Sequence, residues 1–148
     1  MLSDIYNRQI LEFAANIPRI GRLSAPHGSA SGHSRLCGST VTVDVVTDGE
    51  VVTDFGHVVK ACALGQASSS ILARNVIGSS AAELREVRDA MRRMLTENGP
   101  PPNGRWQDLA VLEPVRDYKA RHASTMLTFD AVVDALEQAT AKQRAPQD

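Results

Sequence analysis

The stretch from Thr40 to Lys60 leaves this chain few folds to choose from. Val41, Val43 and Val45 alternate with Thr40, Thr42 and Asp44, a period of two that predicts an antiparallel strand covered on one face. Asp48-Gly49 follows, two residues that tolerate positive φ and so signal a hairpin turn. Val51 to about Lys60 reads as the return strand. The chain's 2 cysteines flank this hairpin, Cys37 before it and Cys62 after it. An antiparallel return carries both toward the same end of the sheet. A thiolate is the softest metal ligand a side chain offers, so a shared site is the natural expectation.

The flanking segments read as helices. Ser3 is placed to cap a first helix striped by Leu2, Ile5, Tyr6, Ile10, Phe13, Ala14 and Ile17, with Pro18 ending it. Gly21 to Gly32 is rich in small and turn-forming residues and reads as loop, with a short strand near Ala30 to Leu36. After Cys62, Leu64, Ala67, Ile71, Leu72 and Val76 form a helical stripe, with Gly78 as its stop. Cys62 therefore stands just before a helix start, where the partial positive charge favours a thiolate. Ser80-Ala81-Ala82-Glu83 is a capping box for a helix striped by Leu84, Val87, Met91, Met94 and Leu95, ending at Asn98-Gly99. Arg85, Arg88, Arg92 and Arg93 are expected to pair with Glu83, Glu86 and Asp89 along that helix. Trp106, Leu109, Val111 and Leu112 suit a short helix, and Pro114 to His122 reads as a further turn or short helix. Thr128 is placed to cap a last helix striped by Phe129, Val132, Val133 and Leu136. One domain over 1–140 and a polar tail over 141–148 are expected.

Composition excludes several roles. Of 148 residues 43% are hydrophobic and 22% charged, with a net charge of −1 from 16 basic and 17 acidic residues. That balance gives no electrostatic attraction for nucleic acid or an anionic membrane. Aromatic residues are too sparse for a base-stacking surface. No apolar run approaches the length of a membrane span, and the N-terminus lacks the pattern of a signal peptide. Two cysteines make no secreted disulfide scaffold, so a reducing, cytoplasmic setting without a Cys37–Cys62 disulfide is expected.

Each chemically capable residue has a plainer alternative. Cys37 and Cys62 also suit two small buried hydrophobes. His27, His33, His57 and His122 show no metal-ligand spacing; His27 reads as a loop residue, His33 as structural or, four residues before Cys37, as near enough to approach it, and His57 as facing solvent. Cys62 with a histidine and Asp44 or Asp54 makes a catalytic set on paper, but no motif supports it. Gly28, Gly32 and Gly38 form no phosphate-binding loop, and Ser68-Ser69-Ser70 suits helix packing. Lys60, Arg116, Lys119 and Arg121 read either as a positive rim beside the cysteines or as solvated charge.

Three segments carry a resemblance: Leu36-Cys37-Gly38, Lys60-Ala61-Cys62-Ala63-Leu64-Gly65-Gln66-Ala67-Ser68, and Leu112-Glu113-Pro114-Val115-Arg116. In this order the chain resembles the IscU/SufU/NifU N-terminal type of iron–sulfur cluster scaffold over roughly residues 2–138, and the insertion from about Asn98 to Ala110 resembles the SufU branch. The resemblance implies an α+β fold, a small antiparallel sheet of about three strands packed against several helices. It implies a protein that is not an enzyme. Cys37 and Cys62 would hold iron and sulfide, or zinc, as an iron–sulfur cluster forms and passes on. A cysteine desulfurase and acceptor apoproteins are the implied partners, and with two cysteines per chain a four-thiolate cluster implies a homodimer or other ligands. The family pattern has Cys-Gly-Asp where this chain has Cys37-Gly38-Ser39, and a third cysteine where this chain has Ser124. A serine hydroxyl stays protonated and binds metal poorly; His122 stands two residues away as a substitute ligand. The alternative is a scaffold-like binding or regulatory module, or a persulfide acceptor, that builds no cluster.

Overall fold

The computed structural model describes residues 6–36 and 38–144. Strands β1 (Gly28–Ser34), β2 (Ser39–Asp48) and β3 (Val51–Lys60) form one antiparallel sheet in the order β1-β2-β3. Helices α1 (Arg8–Ala15), α2 (Ala63–Asn75), α3 (Ala81–Thr96) and α4 (His122–Arg144) accompany it, with 3-10 turns at Gly104–Asp117 and Lys119–Arg121. The three-stranded α+β architecture expected from the sequence is the one observed.

The hairpin follows its alternation. Val41, Val43 and Val45 are at most 1% exposed and share one core with Leu64, Ile71, Phe129 and Val132 of the helices. Val45 pairs with Phe55 and Val43 with His57, but the register shifts between Val46 and Thr47, so that Thr47 pairs with Val52. That bulge returns Val52 to the core face, where it is fully buried.

Several expectations need correction. Asn7, not Ser3, caps α1 through Oδ1 and the N–H of Ile10; Leu2, Ser3 and Ile5 lie outside the described residues. Helix α2 ends at Asn75, and Gly78 sits beyond its end at φ +87° in the turn to α3. Ser80 caps α3, but Glu83 turns to Trp106, accepting from Nε1 at 2.8 Å. Of the arginines of α3, Arg88 pairs with Asp89 on its own helix as expected, while Arg92 and Arg85 reach across to Asp130 and Glu137 of α4, because those partners lie on the neighbouring helix surface. Thr128 is not a cap: α4 begins at His122 and Thr128 is buried within it. In the fold, the hydroxyls of Ser124 and Thr125 bond back to the Arg121 carbonyl, and the burial of Met126, Leu127 and Phe129 carries the helix through. The expected tail is helical as far as Arg144, and residues 145–148 lie outside the described residues.

His57 does not face solvent. It shares the core face with Phe55 and is fully buried, its ring centroid 4.9 Å from that of Phe55. The chain leaving α1 runs beside it: Gly21 N–H donates to the His57 carbonyl, His57 N–H to the Arg19 carbonyl, and ring Nε2 lies 2.9 Å from the Pro18 carbonyl. A carbonyl only accepts, so Nε2 carries the proton, and Nδ1 is left buried without a partner. Burial pushes the ring's pKa down, and the Pro18 bond offsets only part of this. A base whose folded pKa is depressed binds fewer protons folded than unfolded. Its contribution is therefore intact above the unfolded value of about 6.5 and is lost as pH falls below it. The urea midpoint should drop between pH 7.5 and 5.5, and His57→Gln should flatten that drop; an equal drop in both proteins would refute the assignment to His57.

No described helix is long and apolar enough to cross a membrane.

Candidate metal centre

Thr40 pairs with Lys60 and Ser39 with Ser34, so the segments next to both cysteines meet at one end of the sheet. Cys37 itself lies outside the described residues. Around it, Gly38 N–H donates to the Ser34 carbonyl at 2.8 Å, with Gly38 at φ +71°, a left-handed conformation that favours glycine. Leu36, beside it, is 76% exposed. Ser39 is buried at the start of β2.

Cys62 is the N-cap residue of α2, with extended backbone (φ −67°, ψ 172°). Its carbonyl accepts the first helical bond, from Gln66 N–H at 2.9 Å, and the Gln66 side chain clasps the Ala61 carbonyl. Leu64, two residues on, is fully buried and anchors the first turn in the core. The Cys62 side chain is half-buried and free of any disulfide.

The first turn of α4 meets this point. The Cys62 thiol donates to Ser124 Oγ at 3.6 Å. Ser124 is 1% exposed and its own hydroxyl donates to the Arg121 carbonyl at 3.2 Å. Two features of α2 permit the approach. Gly65 has no side chain where a Cβ would lie 3.2 Å from the Ser124 carbonyl oxygen and 2.8 Å from the Ala61 Cβ. Ser68 Oγ donates to the Thr125 carbonyl at 2.8 Å and stitches the two helices. The serine run thus includes a buried polar staple.

His122 heads α4. Its Nε2 lies 3.0 Å from the Val115 carbonyl and 3.2 Å from that of Arg116, so this nitrogen carries the proton and Nδ1 alone is left to hold a metal. Among the described residues, no three His, Cys, Asp or Glu side chains come together closely enough to hold a metal ion. The described donors are therefore one thiol and one neutral hydroxyl, a set that suits an open, exchangeable site rather than a closed structural one. Of the basic residues near this end, Arg116 is committed to the Gly99 carbonyl and Glu113, while Lys60 and Lys119 are exposed.

One polar constellation went unforeseen. Asp44, on the face of β2 opposite the valines, is fully buried. Arg22 grips it with two bonds of 2.6 and 3.0 Å, Ser29 Oγ donates at 2.6 Å and Leu23 N–H at 3.0 Å. Burial pushes this carboxyl up, yet the bonds from Arg22, Ser29 and Leu23, with the Arg22 charge, outweigh it and hold the pKa below the usual value. The cluster pins the loop before β1 over the sheet. An acid set among valines was the available signal.

Comparison with known proteins bears on this geometry. The family model of the NifU-like N-terminal domain matches residues 5–125. A NifU-like protein (N-terminal) of Brucella abortus, described as nitrogen-fixing, is 63% identical, with a TM-score of 0.93 over 97% of this chain and 99% of that one. A candidate iron–sulfur cluster assembly scaffold for the SUF system from Fervidobacterium islandicum AW-1 is 22% identical and has the same fold, with a TM-score of 0.83 over 90% of this chain and 98% of that one. The iron–sulfur cluster assembly scaffold protein IscU of Thermotoga maritima is 23% identical over 134 residues, 90% of this chain and 93% of that protein.

Proposed function

The chain belongs to the NifU-like N-terminal domain family of iron–sulfur cluster assembly scaffolds, and from that premise we propose that Cys62, together with Cys37, holds iron and sulfide while a cluster is assembled for an acceptor. The observation that carries this reading is the half-buried Cys62 thiol at the start of α2, in contact with the start of α4. A thiolate there binds iron without being consumed, and a partly exposed one exchanges its cargo. The protein's role is binding and handover, not catalytic turnover. Sulfur comes from a cysteine desulfurase as a persulfide and becomes sulfide with two electrons from a thiol reductant, the cluster leaves to acceptor apoproteins, and zinc is an alternative occupant of the thiolates. With two cysteines per chain, a cluster held by four thiolates spans a homodimer.

Anaerobic loading tests this. The reduced chain is given ferrous iron, cysteine, a cysteine desulfurase and excess dithiothreitol as reductant, then assayed for iron, zinc and acid-labile sulfide per protomer. Wild type should take up iron and sulfide, and Cys37→Ala, Cys62→Ala and the double variant should lose most of it. Uptake by wild type no greater than by the double variant would sink the proposal.

A second reading has Ser124 in its favour. With a hydroxyl beside Cys62, the chain would accept a persulfide or serve as a scaffold-like binding module without building clusters. Trapping of a persulfide on Cys62 without iron uptake would select it.

A further inference from the structure

We propose that the outer edge of β1 is a docking strand, which takes an extended segment of another protein, with Lys or Arg at alternate positions, as a fourth strand of the sheet. Docking there needs no metal on Cys62, so it stands or falls apart from the cargo reading.

The two edges of the sheet differ. On β3 the chain itself takes the outward backbone groups. His57 N–H donates to the Arg19 carbonyl and the His57 carbonyl accepts from Gly21; Val52 N–H donates to the Ser79 carbonyl and the Val52 carbonyl accepts from Gly78. Because His57 spends both groups outside the sheet, its partner Val43 turns its own toward β1, where it faces Ala30. In an antiparallel strand the N–H and C=O of one residue point the same way, and successive residues alternate. Ser29, Ser31 and His33 therefore direct theirs away from the sheet. The Ser29 N–H agrees, since it reaches Gln138 Oε1 of α4 at 3.4 Å. Among the described residues, no backbone group bonds this edge. The usual guards of an open edge are missing too: β1 holds no lysine, arginine, acid or proline, and its register with β2 runs without a shift from Gly28 to Ser34. Ser31 and His33 are exposed.

Charge selects the occupant. A groove runs between this edge and α4, walled by Ser29, Ala30 and Ser31 on one side and by Asp134, Glu137 and Gln138 on the other. A strand laid beside β1 turns every second side chain toward α4. There it meets Asp134, exposed and without a basic partner among the described residues, and Glu137, half-exposed and 3.7 Å from Arg85. Lys142 lies further along α4, outside these walls. Lys or Arg at alternate positions of the segment complements the two carboxylates, while the backbone groups of Ser31 and His33 supply the strand pairing. A second copy of this chain is a poorer occupant, because two β1 edges paired about a two-fold axis bring the same acidic wall of α4 against itself. Beyond Ser34 the chain runs through Arg35 and Leu36 to Cys37, so a docked segment lies along the approach to that loop.

The test titrates the metal-free full chain with two fluorescent peptides, one alternating threonine with lysine and the other threonine with glutamate, read by anisotropy and by amide hydrogen exchange. The lysine peptide should bind saturably and slow exchange at Ser31 and His33, leaving that of His57 unchanged. The glutamate peptide should bind about tenfold more weakly, as two unfavourable charge contacts would require. Asp134→Lys should weaken the lysine peptide by about fivefold and strengthen the glutamate peptide. Ser31→Pro removes an outward N–H without costing a sheet bond, as proline does on an edge strand, and should abolish binding. Absence of saturable binding of the lysine peptide, or equal binding by wild type and a folded Ser31→Pro variant, overturns the proposal. Should Ser31→Pro fail to fold, Asp134→Lys decides, and an unchanged preference between the peptides overturns it. Sedimentation of the chain as a dimer that Asp134→Lys tightens and the lysine peptide cannot disperse overturns it in favour of self-pairing.

Discussion

Gly28→Ala should destabilise the protein by about 3 kcal/mol or more, the upper end for overpacking a closed interface. Gly28 opens β1 with its backbone against α4. A Cβ built on it would lie 2.0 Å from the Ala135 carbonyl oxygen, 3.0 Å from the carbonyl carbon and 3.1 Å from the Ala139 nitrogen. All three atoms belong to the backbone of α4, so no rotamer change relieves the clash; the strand or the helix must move. Moving β1 disturbs the register of Gly28 with Val45 and of Ala30 with Val43, on the face that carries the core. Urea denaturation checks this through a lowered midpoint at unchanged slope. Ser31→Ala, an exposed position on the same strand, should shift stability by less than about 0.5 kcal/mol. A Gly28→Ala protein as stable as Ser31→Ala would contradict the close packing of β1 on α4.

Asp44→Ala should cost about 3 kcal/mol, the scale for breaking a buried, hydrogen-bonded charge cluster. The carboxylate is the common acceptor for Arg22, Ser29 and the Leu23 N–H. Without it the Ser29 hydroxyl and the Leu23 N–H lose a bond in a partly buried place, and the loop before β1 loses its clamp. Asp44→Asn should recover little, because an amide presents one acceptor and turns a donor toward Arg22. The pH dependence has a definite sign. A carboxyl whose folded pKa is depressed contributes stability that is complete above the unfolded value of about 3.9 and is lost as pH falls through the folded value. Wild type should therefore lose stability on acidification below pH 4, and the margin over Asp44→Ala should shrink there. A margin that stays constant between pH 6 and 3 would show that the carboxylate charge contributes nothing. This window lies below that of His57, so the two titrations separate in one pH series.

The clamp and the glycine contact bear on the candidate site through β1 and β2, whose paired ends Ser34 and Ser39 frame the Cys37 loop. Loosening either should broaden the geometry of that loop before it touches Cys62, which hangs on α2.

The valine alternation and the Asp48-Gly49 turn determined the hairpin, because a period of two has one buried solution when only one face meets a helical layer. The Cys62 segment determined its own place at a helix start for a similarly local reason: Leu64, Ala67 and Ile71 recur on one face of the following helix. Three short motifs, in their order along the chain, carried the resemblance to the family, which the match over residues 5–125 bears out. Other features were settled by contacts between segments far apart in the chain. His57 reads as an exposed polar residue until β3 pairs with β2 and places it beside Phe55 under the Pro18 carbonyl. Asp44 reads as the solvent face of a strand until the Arg22 loop folds over it. Thr128 reads as a cap, yet it lies inside α4, because burying Met126, Leu127 and Phe129 outweighs a weak local preference. Sequence alone could say that position 124 lacks a thiol. Only the packing of two helix starts, 62 residues apart in the chain, brought the Ser124 hydroxyl to 3.6 Å from the Cys62 sulfur, since a distance between remote residues is fixed by the core that holds their elements and not by either residue's neighbours.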